Sequence, residues 1–191
     1  MSSDNYAPVG ANRLLALLSS GDLTKPRAEM EEVEMGIKDI VYQPDQPIEF
    51  IYFPLSGVFS LLTVLADGTS LEVATVGNEG MVGVPIYLGA DSTTGLGFSQ
   101  VPGRALRMPA AAFRAALAQD GDLTRVLGLY VQGLFTQIAQ TAACNRAHPI
   151  EQRCARWLLM THDRAGTDEF LLTQEFLAQM LGVRRATVSE A

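Results

Sequence analysis

Two cysteines, two histidines and one tryptophan in 191 residues leave little material for redox or metal chemistry. Cys144 and Cys154 are too few for a disulfide framework or for a four-cysteine iron–sulfur site within one chain, so a reduced, cytoplasmic setting is expected. No apolar run approaches the ~20 residues needed to cross a bilayer, and the opening MSSDNYAPVG has neither a basic start nor an apolar signal core. Positive charge is also scarce. The 14 Lys and Arg face 21 Asp and Glu, a net charge of −7, which excludes a protein that coats nucleic acid through bulk positive charge. The deficit lies in residues 1–143, because residues 144–191 hold six basic and six acidic side chains. Residues 31–108 contain no His and no Cys, so a cupin-type metal centre on their strands is excluded. No carboxylate pair, nucleophile with its base, or phosphate loop is recognisable. Neither an enzyme nor a resident cofactor or metal is expected.

What the chain does have is punctuation. Asn12 precedes Arg13 to Leu18, which reads as a capped short helix flanking the core. From Glu31 to Met108, Gly or Pro repeatedly interrupts short apolar runs, the grammar of many short strands. Ile48 to Phe53 is aromatic and β-branched, while Val58 to Ala66 and Thr69 to Val76 flank Asp67-Gly68, a favoured hairpin pair. Strands so spaced, with no helical stretches between them, predict a small antiparallel β-roll and not a parallel α/β sheet. The fold class expected is α+β.

Pro109 opens a helix over Ala110 to Ala118, and a longer one follows from Leu123 to Cys144. Its apolar residues cover far more than one face, so it needs two partners. One is the roll, and the other is most simply the same helix of a second subunit, through Leu123, Leu127, Tyr130, Leu134 and Ile138. Three units result: a β-roll with N-terminal helices over 1–119, a dimerisation helix over 120–145, and a C-terminal unit over 146–191.

In that last unit Pro149 starts a helix that stops at Arg164-Ala165-Gly166, with Trp157 read as core packing. The run Thr173 to Ser189 then places Ala178 four residues before Gly182 and Val188 six after it. Two helices crossing steeply need a small contact residue, a turn glycine and an apolar anchor, which is the pattern of a helix-turn-helix. Arg184, Arg185, Thr187 and Ser189 then lie near the start of the second helix, where side chains meet phosphates and base edges. Thr173 and Gln174 begin the first helix, where a phosphate can be held.

With these motifs in order, the chain resembles the Crp/Fnr superfamily of bacterial transcription regulators. The likeness is closest in Phe53-Pro54-Leu55-Ser56-Gly57, in Glu72 to Gly83, in Arg153 to Leu159 and in Leu172-Thr173-Gln174-Glu175. It implies a cyclic-nucleotide-binding-like sensing roll, a homodimer through the long helix, and a winged-helix domain that binds DNA. Two departures bear on function. Family members that bind cyclic nucleotides carry Gly-Glu and then Arg-Ser or Arg-Thr in a phosphate cassette. Here those parts read Gly83-Val84 and Gly95 to Gln100, with neither the carboxylate nor the arginine, so cyclic AMP bound in the usual way is not expected and the effector is left unnamed. Glu79, read as an exposed strand-end carboxylate, lies too early to stand in. Ala191 falls inside the recognition helix, so a fragment of a longer regulator is expected. The recognition helix has Ala186 and Glu190 where better-known members have a glutamate and an arginine, which implies a different target sequence. A metal- or redox-responsive regulator using Cys144, His148 and Cys154 is the rival reading, and a roll that serves only as an interaction module is another.

Overall fold

Seven antiparallel strands form two facing sheets in a computed structural model that describes residues 11–18, 26–119 and 121–190. The strands are β1 (Glu31–Met35), β2 (Ile40–Tyr42), β3 (Phe50–Pro54), β4 (Val58–Val64), β5 (Ser70–Val76), β6 (Gly95–Val101) and β7 (Gly103–Pro109). A short helix α1 (Val84–Tyr87) sits between β5 and β6, and α2 (Ala110–Leu117), α3 (Asp122–Ala147), α4 (Ile150–Ala165), α5 (Gln174–Leu181) and α6 (Arg185–Glu190) follow the roll. Strand order is β1-β7-β3 in one sheet and β2-β6-β4-β5 in the other. The predicted hairpin joins β4 to β5: Leu65 N–H donates to Thr69 O at 2.8 Å, Asp67 accepts from Thr69 N–H, and Gly68 takes φ +84°. That left-handed residue is why glycine stands there.

Between the sheets, Met35, Val41, Tyr52, Phe59, Val76 and Ala105 close the interior. The outer face of the three-stranded sheet carries Ile51, Phe53, Leu106 and Met108, which pack on Phe113 of α2 and on Leu123, Val126 and Leu127 of α3. Leu14, Leu15 and Leu18 join the same cluster. The N-terminal segment is therefore part of the core, not a flank, and it forms a 3-10 turn over Leu15–Leu17 in place of a regular helix. Asn12 explains this. Fully buried, it donates through Nδ2 to Pro54 O (2.8 Å) and Gly80 O (2.9 Å) and accepts Leu15 N–H (3.0 Å), so its side chain ties two loops to the first turn.

The outer face of the four-stranded sheet is covered by α4, α5 and α6. Leu62 and Phe98 meet Trp157, Leu177, Met180, Leu181 and Val188 there. Asn12→Ala should leave two carbonyls and one N–H without partners and cost about 2–4 kcal/mol. Urea denaturation with unchanged slope and a lower midpoint is the expected result.

Candidate nucleic-acid interface

The helix-turn-helix forms where its spacing placed it. Thr173 caps α5, its Oγ1 accepting Phe176 N–H at 3.1 Å. At the other end Gly182 takes φ +63°; its N–H donates to Gln179 O and Val183 N–H to Ala178 O, the paired bonds of a Schellman end. Arg153 of α4 donates to Leu181 O at this terminus, placing a cation on the negative end of the helix. Val188 anchors α6 in the apolar cluster. Arg184, Arg185 and Ser189 are exposed and Thr187 is half-buried. Neither arginine side chain meets a carboxylate among the described residues, so both cations face solvent. Ser189 Oγ donates to Gln174 Oε1 at 3.0 Å, which joins the start of α5 to the end of α6. Of the six predicted contact residues the structure brings Ser189 and Gln174 together, with Thr173 beside them at the start of α5, while Arg184 and Arg185 stand at the turn and Thr187 midway along α6.

Residues 32–120 match the cyclic nucleotide-binding domain family and residues 152–191 the Crp-like helix-turn-helix domain. The chain belongs to the Crp/Fnr superfamily. It pairs a sensing domain with a DNA-binding domain, the arrangement of a transcription regulator. Its fold is similar to that of a putative crp/fnr-family regulator of Eubacterium rectale, with 12% identity over 95% of this chain and 85% of that one and a TM-score of 0.77. It is also similar to CLP of Xanthomonas campestris, a c-di-GMP responsive global regulator (14% identity, 90% and 89% covered, TM-score 0.72). FixK2 of Bradyrhizobium japonicum is similar too (18%, 84% and 81%, 0.70). No curated protein sequence matches the chain.

In this Crp/Fnr chain the residues of the expected dimer seam lie on the face of the long helix turned toward the roll. Leu123, Leu127 and Leu134 are buried within the chain itself. Tyr130 lies against Gly80, where a Cβ would come within 2.4 Å of its ring, and its hydroxyl donates to Met81 O at 2.9 Å; Ile138 is half-buried. This face is used up on the roll. The opposite face carries Gly128, Gln132, Phe135, Ala139 and Ala142 at alternating spacings of four and three, with Phe135 68% and the flanking Leu129 65% exposed. Among the described residues no helix is long and apolar enough to cross a membrane.

The cassette stretch is equally informative. Ser99 Oγ bonds to Val101 O, while Gln100 points away from the roll interior into a buried network. Arg104 and Arg107 are paired with Glu32 and Glu31 of β1. Glu79 is not exposed but half-buried and ion-paired, its Oε1 accepting from Arg164 Nε at 2.7 Å. Cys144 is buried beside Gln140, Cys154 is half-buried and His148 exposed. These three do not gather, and among the described residues no three His, Cys, Asp or Glu side chains form a ligand set.

Sequence reasoning missed the buried polar chain under the helix-turn-helix. A register shift between Leu61 and Leu62 leaves Val73 without an opposite residue and sets Glu72 opposite Leu62, so the carboxyl faces α4. Trp157 Nε1 donates to Glu72 Oε1 at 2.7 Å, Ser60 Oγ is 2.5 Å from Glu72 Oε2, and Gln100 Nε2 donates to Thr161 Oγ1 at 3.2 Å. Beside them, Leu71 fills the space at Gly182, where a Cβ would stand 2.1 Å from its Cδ2. Gly182→Ala should cost about 1–2 kcal/mol from left-handed backbone strain alone and more from the clash. Adding Leu71→Ala should recover only the clash, a non-additivity that a double-mutant cycle in urea would measure.

Proposed function

We propose that this Crp/Fnr protein is a homodimeric transcription regulator that reads DNA with α6, dividing into a sensor over 1–119, a dimerisation helix over 120–145 and a DNA-binding unit over 146–191. The observation that carries the reading is the solvent-facing pair Arg184 and Arg185 at the start of a helix locked to α5 by a Schellman turn. Arg185 is the base-edge contact, Arg184 meets the backbone, Thr187 and Ser189 lie near bases or phosphates, and Thr173 with Gln174 holds a phosphate. The sensor does not take a cyclic nucleotide in the phosphate-cassette mode. A buried phosphate would lack a cation there, Arg104 and Arg107 are engaged with β1, and the interior holds apolar side chains.

Two recognition helices then enter successive major grooves, so the operator is an inverted repeat with half-sites one helical turn apart, about 34 Å. Arg185→Ala should lose about 1–3 kcal/mol on the cognate operator and relax preference at one base pair. Gel-shift titrations against operator variants check this, and unchanged affinity and preference would refute it. For the dimer, Phe135→Glu should convert the protein to monomers in micromolar sedimentation runs without loss of helical ellipticity, because a charge in such a seam costs several kcal/mol. Leu134→Glu should instead unfold it.

A further inference from the structure

The buried chain between the sheet and the DNA-binding unit has a proton inventory that the geometry constrains. Ser60 Oγ stands between Glu72 Oε2 and Gln100 Oε1, two oxygens for one hydroxyl proton. With the amide so placed, the second proton has to come from the carboxyl. Glu72 O–H donates to Ser60, Ser60 O–H to Gln100 Oε1, and the Gln100 amide N–H to Thr161 of α4. Removing that proton reverses the order: the amide turns over, its N–H donates to Ser60, and Thr161 must donate its hydroxyl proton to Gln100 where it had accepted one. Both α4 anchors, Trp157 and Thr161, therefore sense the charge on one β5 side chain.

We infer that Glu72 is a proton-operated latch between the sensing sheet and the helix-turn-helix, neutral when the two are docked and ionised when they separate. Charged groups face it from α4 alone: Arg156 and Arg164 favour the ionised form, Arg164 being already paired with Glu79. Arg153 lines the same small cavity, as does the thiol of Cys144 from α3, while α5 contributes only apolar side chains there. Burial outweighs the Ser60 and Trp157 hydrogen bonds as well as Arg164 and Arg156, all of which favour the carboxylate, and pushes the Glu72 carboxyl up from 4.5 to about 7. Docking is then strongest below pH 4.5, where the acid is neutral in both states. It weakens as pH rises from there to about 7, because the separated form sheds its proton first, and stays at its weakest above that. Over the interval the docking equilibrium shifts by a factor on the order of a hundred. That separation tunes DNA binding rests on the function proposed above; the latch itself does not.

Trp157 is the single tryptophan and sits on the latch, so acrylamide quenching of its emission reports separation without any DNA. In the 191-residue protein, quenching should rise about twofold or more between about pH 5.5 and pH 8 in one step, with far-UV ellipticity constant. Glu72→Gln, neutral at every pH, should hold the low value throughout. His162, which Asp168 and Asp163 hold above its ordinary value, titrates nearby but faces away, so His162→Gln should keep the step. A flat wild-type profile, a step surviving in Glu72→Gln, or its loss in His162→Gln overturns the latch. If Glu72→Gln does not fold, infrared spectra of the wild type decide: a carboxylic-acid C=O band present at about pH 6 and gone at about pH 8 supports it, and absence of the band at pH 6 overturns it.

Discussion

Two sheets have four faces, and packing them together hides only two. The outer faces of this roll also carry apolar side chains, Ile51, Phe53, Leu106 and Met108 on one sheet and Leu62 and Phe98 on the other, and both must be covered by helices to keep them from water. The three-stranded sheet takes α2, the N-terminal turn and the first half of α3. The four-stranded sheet takes the whole C-terminal unit. The second choice makes the DNA-binding hairpin and the sensing sheet share one hydrophobic cluster, and a change in either is felt by the other.

Polar groups refine that arrangement. Gln137 on α3 both donates to and accepts from the backbone of Thr75 (Thr75 N–H to Oε1 2.9 Å, Nε2 to Thr75 O 3.3 Å), closing part of the open edge of β5 as a neighbouring strand would. On the other sheet the edge strand β1 carries Glu31, Glu32 and Glu34, paired through Glu31 and Glu32 to arginines on β7. Such charge on an edge discourages pairing with another chain. The remaining apolar, unpartnered feature of the long helix is the stripe through Phe135, and it points away from both sheets.

The hairpin at Asp67-Gly68 and the turn at Gly182 were legible because each depends on bonds between residues close in the chain, where residue type dictates backbone geometry. Three of the strands (β3, β4 and β5) and the helices from Ala110 onward were legible for the same reason, within a few residues at their ends; β1, β2, β6 and β7, and the helix α1 among the strands, were not placed. The bonds of Asn12 to Pro54 and Gly80, the side of α3 that meets the roll, and the Glu72 chain were not legible. Asn12 bonds across separations of 42 and 68 residues, and Trp157 reaches Glu72 across 85. A buried Glu beside Leu71 and Val73 looks in sequence like any solvent-side residue of an alternating strand.

By itself, then, the sequence determined the α+β class, the roll, the long helix and the helix-turn-helix, since periodicity and turn chemistry are local properties. A helix apolar on several faces does not say which one turns inward. That was decided by Gly80, whose missing side chain admits Tyr130, and it sent Leu123, Leu127 and Leu134 to the core and Phe135 to solvent. Likewise only the register shift beside Val73 decided that Glu72 faces the DNA-binding unit, because which way a side chain points across a sheet depends on how its strand is paired with the next.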